Sequence, residues 1–287
     1  MTSVTSESNT LSRLSAFTDN PNGGNPAGVW IGDTLPEPKI MQQIATQVGY
    51  SETAFIAPRT GNKRDVRYFS PEAEVPFCGH ATIASGVALG EANGDNTYLL
   101  DTAVGEIPVT VSTVNGVKTA SLISVVPQSE PASKTLLNDA LNALGWSPEE
   151  LDFSIPPSRA FAGNWHLVIA VKSKSRLDNL HYDFEQLKTL MLDDDLTTLQ
   201  LIWRENADVI HSRNPFPVGG VIEDPATGAA AAALGGYLRE AKLLTAPSKI
   251  IIHQGEVMGR PSLLKLEIPH SGGITVSGTA VQLDEAK

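Results

Sequence analysis

Two segments of small and apolar residues constrain the fold of this chain more than any other feature. "GHATIASGVAL" begins at Gly79, and "GAAAAALGGYL" begins at Gly228, 149 positions later. A helix that is apolar on nearly every side has to be buried on every side, so we expect two central helices surrounded by other elements. Glycine and leucine recur at matching positions in both segments. This echo indicates an internal duplication, although low-complexity helices also match by chance.

Strand-like stretches occupy most of the remaining chain, and they come in runs. "DVRYFS" and "NTYLLDT" precede and follow the first central helix, and "KIIIHQGE" follows the second. Among the few helix-like segments, "EPKIMQQIATQVG" places its apolar residues on one helical face and ends in a glycine. Runs of strands broken by only a few helices predict an α+β fold rather than a parallel doubly wound sheet.

Length and local composition predict two domains. The chain has 287 residues, of which 41% are hydrophobic, and this suits one large or two medium domains. Residues 1–10 are rich in Ser and Thr and are predicted to form a disordered leader. The stretch "VPQSEPASK" shifts composition to Pro and Ser, which places a domain boundary there. We therefore predict an N-terminal domain of residues 11–127 and a C-terminal domain of residues 128–272.

The charge of the chain limits its partners. A net charge of -11 argues against nucleic acid and anionic membranes, because both require a basic face. No apolar run approaches the roughly 20 residues that cross a bilayer, and the first residues do not resemble a secretory signal. A single cysteine excludes an intramolecular disulfide. These features together predict a cytoplasmic protein.

The start of each central helix is a candidate anion site. The first turn of a helix leaves about four backbone N–H groups without partners and carries roughly half a positive charge. Small residues at Gly79 and Gly228 would let a carboxylate or phosphate come close. The competing interpretation is that these helices are simply well packed, and that their small residues admit neighbouring strands.

The single cysteine, Cys78, stands two positions before His80. A thiol near a helix start ionises readily and could act as a nucleophile. Residues two apart in a helix point away from each other, however, so we do not expect these side chains to pair. The six histidines occur singly, without the spacing of a metal site. The prediction is an inert or supporting thiol and no bound metal.

Two carboxylates are candidates for acid/base chemistry. Glu52 lies in the otherwise uncharged run "GYSETAFIA", where a carboxylate in a dry pocket could transfer protons; the alternative is an outward-facing strand residue. Asp224 and Thr227 directly precede the second central helix, where an Asp usually caps a helix or holds a turn but can also orient a substrate. The glycines of "NPNGGNPAG" lack phosphate-loop spacing, so no nucleotide site is predicted there.

Five stretches taken together resemble the PhzF family of phenazine biosynthesis-like proteins, which is related in fold to diaminopimelate epimerase. They occur in the family's order from about residue 14 to about residue 280: "AFTDNPNGGNPAGV", "GYSETAFI", "VRYFSPEAEVPFCGHATIASG", "EDPATGAAAAALGGYL" and "HQGEVMGRPS". The resemblance implies two pseudo-twofold-related domains, each a curved, mostly antiparallel sheet around a central helix, with the active site in the cleft between them. It also implies that a last strand, about residues 273–287, completes the first domain, and that the protein is a homodimer.

The resemblance also implies roles for individual residues. Glu52 matches the family's acid/base, and His80 and Asp224 match residues that support the proton transfer. Four further positions match the substrate-binding site: Asn25, Gly79, Gly228 and Ala229. The family often has a serine where this chain has Ala229, so a hydroxyl that could contact the substrate is missing here.

These expectations define a cofactor-independent isomerase. It would move a proton, and with it a double bond, on a small carboxylate-bearing metabolite, similar to trans-2,3-dihydro-3-hydroxyanthranilate isomerase. Two alternatives share the fold: an amino-acid racemase or epimerase, which needs a second base opposite Glu52, and a non-catalytic small-molecule binding protein.

Overall fold

The computed structural model describes residues 9–284, and its contacts divide the chain into two compact units. One unit runs to Leu122 and takes in the chain from Ser277 onward, and the other is Ile123–Val276. The predicted leader, residues 1–10, lies mostly outside the described residues. Its last residue, Thr10, is already part of a strand.

The first unit is built from nine strands and two helices among the described residues. In chain order they are β1 (Thr10–Ala16), β2 (Asn25–Ile31), α1 (Pro38–Val48), β3 (Glu52–Pro58), β4 (Lys63–Phe69), β5 (Glu74–Val75), α2 (Gly79–Asn93), β6 (Asn96–Thr102), β7 (Gly105–Val114) and β8 (Val117–Ile123), with a late strand, Thr275–Gln282, that pairs with β1.

The second unit follows a similar order. Its elements are β9 (Gln128–Pro131), α3 (Lys134–Leu144), β10 (Ser158–Phe161), β11 (Trp165–Ala170), α4 (Lys174–Asp178), α5 (Phe184–Asp193), β12 (Leu196–Arg204), β13 (Val209–Pro215), β14 (Glu223–Asp224), α6 (Gly228–Glu240), β15 (Ser248–Gln254) and β16 (Ser262–Ile268). The late strand Thr275–Gln282 is β17.

Both units repeat one connection pattern around a central helix. In the first unit β2 and β3 run parallel, and β4 pairs antiparallel with β5 and parallel with β6. In the second unit β11 and β12 run parallel, and β13 pairs antiparallel with β14 and parallel with β15. The pairings of β1 with β2, β3 with β4, β6 with β7, β12 with β13 and β15 with β16 are antiparallel, so the strand pairings of each unit are mostly antiparallel, as the α+β prediction requires.

The two central helices are buried as the sequence predicts. Every residue of α2 from His80 to Gly90 is buried, and so is every residue of α6 from Ala230 to Leu238. Strands β1, β2, β3 and β7 contact α2, while β9, β10, β11, β12 and β16 contact α6. The small residues let these strands approach closely: a Cβ atom at Gly86 would lie 2.7 Å from Val109 and 2.8 Å from Ala120.

The boundary between the units differs from the predicted one. It falls between Leu122 and Ile123, whereas Pro and Ser composition placed it between residues 127 and 128. The Pro-rich stretch is not a linker, because Gln128–Pro131 forms β9 and pairs antiparallel with β10. Whether the units are separate folding domains stays a prediction. Among the described residues, no helix is long and apolar enough to cross a membrane.

Candidate active site

Glu52 and His80 form the core of the candidate site in the first unit. Glu52 is the first residue of β3, which starts shortly after α1 ends at Gly49 in a left-handed conformation. His80 is the second residue of α2. Its Nε2 atom lies 3.4 Å from Oε2 of Glu52, with side chains that are 8% and 20% exposed respectively. The carboxylate is therefore neither fully buried nor an outward-facing strand residue.

Cys78 lies beside His80, contrary to the sequence-based prediction. Its Sγ atom is 3.4 Å from Nδ1 of His80 and 3.8 Å from Nε2. The prediction that the two side chains point apart is wrong because it assumed helical geometry at both positions. Cys78 is the N-cap of α2, with an extended backbone at φ -143° and ψ 118°, so helical spacing does not govern its side chain.

Glu52, Cys78 and His80 also meet the distance requirement for a metal site. Their potential ligand atoms all lie within 4.8 Å of one another, and this is the only such group of three among the described residues. Sequence spacing could not reveal it, because the glutamate comes from a different element than the other two residues. Carboxylate, thiolate and imidazole are all zinc ligands, so the three side chains have the chemistry as well as the spacing to bind a metal ion.

A polar chain supports the first turn of α2. Thr82 donates a hydrogen bond to the carbonyl oxygen of Cys78 at 2.6 Å, and the Tyr68 hydroxyl contacts the Thr82 hydroxyl at 2.7 Å. Burial raises the pKa of Tyr68, so this phenol stays protonated and acts as a hydrogen-bonding support. Ser51 also contacts the imidazole, with its Oγ atom 3.3 Å from Nε2 of His80.

The second helix start repeats the turn length and the short strand of the first, but with different side chains. "EVPFCG" ends at Gly79 and "EDPATG" ends at Gly228, so both turns have the same length and both begin with a short strand. The position of Cys78 is thus occupied by Thr227 in the second unit. Its hydroxyl donates a hydrogen bond of 2.5 Å to Oδ2 of Asp224.

An Arg–Glu pair anchors each of these turns. Arg67 contacts both carboxylate oxygens of Glu74, at 2.7 and 2.5 Å. Arg213 binds Glu223 in the same two-pronged manner, at 3.0 and 2.5 Å. The hydrogen bond with Arg67 lowers the pKa of Glu74. Two-pronged Arg–carboxylate pairs fix geometry as well as charge, so both turns are held in defined positions.

Neither central helix is capped by the side chain of its N-cap residue. Ser133, Ser173 and Asp183 cap α3, α4 and α5, whereas Cys78 and Thr227 make no capping hydrogen bond. Without a side-chain cap, the first N–H groups of a helix are available to an anion. That the backbone at Gly79, Gly228 and Ala229 binds a carboxylate stays a prediction.

The remaining predicted residue, Asn25, lies in the same unit as Glu52. It is buried and begins β2, and the parallel register places Ala27 of that strand opposite Glu52. The structure thus brings Glu52 and His80 into contact and places Asn25 on the neighbouring strand. Asp224, Gly228 and Ala229 belong to the second unit. Sequence reasoning missed Ser51, which contacts the imidazole, and Gln254, which contacts Asp224 and Thr227.

Known proteins with similar sequences are isomerases. The chain matches the family described as phenazine biosynthesis-like protein (PhzC-PhzF) over residues 14–286. It is 32% identical over 280 residues to the uncharacterized isomerase YfhB of Bacillus subtilis, covering 94% of each chain. It is 33% identical over 257 residues to a trans-2,3-dihydro-3-hydroxyanthranilate isomerase of Pseudomonas fluorescens, covering 88% of this chain and 87% of the relative.

A solved structure of a PhzF-family protein has a similar fold. The crystal structure of the Bacillus anthracis phenazine biosynthesis protein of the PhzF family matches with a TM-score of 0.84 and 26% identity, covering 96% of both chains. Fold and relatives together define an isomerase. More specifically, the chain belongs to the PhzC-PhzF family of phenazine biosynthesis-like proteins, which confirms the identification, the fold class and the enzyme class predicted from sequence.

Proposed function

We propose that this protein is a cofactor-independent isomerase that transfers a proton on a small carboxylate-bearing metabolite and shifts a double bond. Glu52 removes the proton, and His80 and Asp224 support the transfer. The observation that carries the proposal is the 3.4 Å contact between Glu52 and His80. It lies at a helix start that lacks a side-chain cap.

The chemistry follows from the properties of these groups. A carboxylate is a general base that becomes a general acid once it holds the proton, so one residue can serve both halves of a proton transfer. An imidazole in contact with the carboxylate can donate or accept a hydrogen bond as the charge changes. The N–H groups of a helix start such as that at Gly79 or that at Gly228 would bind the substrate carboxylate and stabilise the negative charge that develops next to it.

The proposed substrate is a small molecule that carries a carboxylate. A relative of Pseudomonas fluorescens is named for its action on trans-2,3-dihydro-3-hydroxyanthranilate, and this compound is the first one to try. Ala229 carries no hydroxyl at the position where the family often has serine. We therefore propose that the preferred substrate of this protein differs from that compound.

Heavy water provides the experiment. The protein is incubated in it with trans-2,3-dihydro-3-hydroxyanthranilate and a panel of cyclic and amino-acid carboxylates, and deuterium incorporation is followed by mass spectrometry. Deuterium uptake coupled to a double-bond shift is the expected result. Uptake with inversion of a chiral centre and no shift would indicate a racemase or epimerase. Measurable binding without any uptake would indicate a binding protein.

A further inference from the structure

The motif "HQGEVMGRPS" has no role in the function proposed above, and the structure connects it to Asp224. Gln254 is the last residue of β15 and is only 1% exposed. Its Nε2 atom donates hydrogen bonds to the carbonyl oxygen of Asp224 at 2.8 Å and to Oγ1 of Thr227 at 3.0 Å. Its Oε1 atom accepts a hydrogen bond from the backbone N–H of Thr227 at 3.1 Å.

These contacts fix the direction of the hydrogen bond between Thr227 and Asp224. An amide nitrogen can only donate, so Gln254 Nε2 occupies an acceptor position of the Thr227 hydroxyl. The hydroxyl proton is then directed to its other neighbour, Oδ2 of Asp224, at 2.5 Å. The chain of donors runs from Gln254 through Thr227 to Asp224, whose carboxylate oxygen accepts the last hydrogen bond.

The backbone next to Gln254 is fitted closely to the same turn. Gly255 has a φ of +74°, and a Cβ atom there would lie 2.3 Å from the carbonyl oxygen of Arg260 and 2.8 Å from that of Pro225. Glycine is required by both the left-handed conformation and the close approach. Gln254 is therefore held against the turn that carries Asp224, rather than on a free loop.

In the first unit the residue at the position that matches Gln254 makes a different contact, although the surrounding strands are repeated. Tyr68 and Asn214 occupy matching positions because each pairs with the second residue of the short strand before its central helix. With this alignment, the parallel registers of β4 with β6 and of β13 with β15 make Thr102 the counterpart of Gln254. The Thr102 hydroxyl donates to the carbonyl oxygen of Gly105 instead. The repeated fold thus forms without this contact to the helix start.

We propose that Gln254 is a positioning residue that orients the Thr227 hydroxyl and, through it, the carboxylate of Asp224 for proton transfer. This inference rests on the proposed function, in which Asp224 supports the reaction. Gln254 itself has no role in contacting the substrate.

Two substitutions at Gln254 and one matched control test the inference. Gln254→Leu removes the amide, and Gln254→Glu keeps an acceptor for the Thr227 N–H but loses the donor while it is ionised. Gln200→Leu is the control, since Gln200 is also a fully buried glutamine, and its Oε1 atom accepts a hydrogen bond from Asn214 rather than contacting Thr227. The measurements are kcat and KM against pH, the melting temperature, and hydrogen exchange of a peptide that contains Thr227.

Turnover should fall on the order of 10–100-fold in kcat for Gln254→Leu with little change in KM, because a small misplacement near the reacting groups is costly. The kcat of Gln254→Glu should rise relative to that of the wild type as the pH falls, since a protonated carboxyl group regains an O–H donor. The Thr227 peptide should exchange faster in Gln254→Leu than in Gln200→Leu. If Gln254→Leu does not fold, Gln254→Glu carries the test through its pH dependence.

Two results together would overturn the inference. In the first, kcat falls in Gln254→Leu and Gln200→Leu only in proportion to the fall in their melting temperatures. In the second, the kcat of Gln254→Glu does not recover at low pH. Failure of the proposed function looks different, because the wild type would then show no turnover with any compound. In that case hydrogen exchange still tests whether Gln254 orients Thr227. Unchanged exchange of the Thr227 peptide in Gln254→Leu would overturn that role, and faster exchange would support it.

Discussion

Nε2 of His80 lies 3.4 Å from Oε2 of Glu52, although the two residues are 28 positions apart in the chain. The contact exists because β3 begins where α1 ends, and α2 begins in the turn that follows β5. The start of β3 and the start of α2 thus place a carboxylate and an imidazole next to each other. Element ends are where a fold can expose functional side chains without disturbing its core.

Substitution of Cys78 by serine should leave activity within a few-fold of wild type. The thiol contacts Nδ1 of His80 at 3.4 Å, and a serine hydroxyl can keep a hydrogen bond to that nitrogen. The measurement is kcat/KM for the substrate identified by the heavy-water experiment. Cys78→Ala, which removes the hydrogen bond, is measured for comparison. A loss of about 100-fold or more in Cys78→Ser would show that the thiolate takes part in the chemistry.

Removal of metal ions should leave activity unchanged. Glu52, Cys78 and His80 are close enough to bind a metal, but proton transfer by Glu52 needs its carboxylate free to take up the proton. The test compares protein dialysed against a strong chelator with protein supplied with zinc, measuring turnover and melting temperature. Activity that disappears with the chelator and returns with zinc would contradict the account and assign these three residues to a metal.

Some features of this protein could be predicted from sequence because they depend on local pattern. The burial of α2 and α6 follows from their apolar composition on every side, and the amphipathic pattern of α1 gives its bounds within a residue. The strand β9 was missed because Pro and Ser are typical of linkers, and only its pairing with β10 stabilises an extended conformation there.

The candidate site was predictable only in part. The resemblance to a family identified Glu52, His80 and Asp224 as candidates, but the pairing of Cys78 with His80 depends on the backbone angles of one N-cap residue. Gln254 lies in one of the stretches that carry the resemblance, but nothing in the sequence shows that its side chain reaches a turn 27 positions earlier. Contacts between distant segments need the fold itself.

The stability of the protein should fall as the pH is lowered from about 6.5, and His166 should account for part of the loss. Burial lowers the pKa of His166 to about 3. In this window the unfolded chain binds a proton that the folded protein does not, so the free energy of unfolding rises with pH by up to roughly 1.4 kcal/mol per unit from this residue. Above about pH 6.5 this contribution to the free energy of unfolding no longer changes with pH.

Denaturant unfolding between pH 4 and pH 7 measures this contribution. The slope of stability against pH should be smaller in His166→Asn, whose amide can still contact Thr198, the partner of the imidazole at 2.8 Å. His181 is exposed, and His181→Asn should keep the wild-type slope. Identical slopes in wild type and His166→Asn would refute the assignment.

Two glycines at matching positions of the central helices should respond differently to substitution by alanine. At Gly86 a Cβ atom would lie 2.7 and 2.8 Å from neighbouring side-chain carbons, whereas at Gly235 the nearest atoms are 3.3 Å away. Overpacking typically costs about 1–3 kcal/mol, and alanine gains about 1 kcal/mol of helix propensity over glycine. Gly86→Ala should therefore lower the free energy of unfolding, and Gly235→Ala should leave it nearly unchanged. Equal effects in chemical denaturation would contradict the packing described for α2.

The role of Glu52 is the central claim, and deuterium incorporation in heavy water by Glu52→Gln tests it most directly. Glutamine keeps the size of the side chain and one acceptor oxygen but cannot take up the substrate proton. Glu91→Gln is the matched control, because Glu91 is exposed and lies in the same helix as His80. We expect Glu52→Gln to bind substrate by calorimetry while the rate of deuterium incorporation falls at least about 100-fold, and we expect Glu91→Gln to match wild type. Incorporation by Glu52→Gln at the wild-type rate would contradict the account.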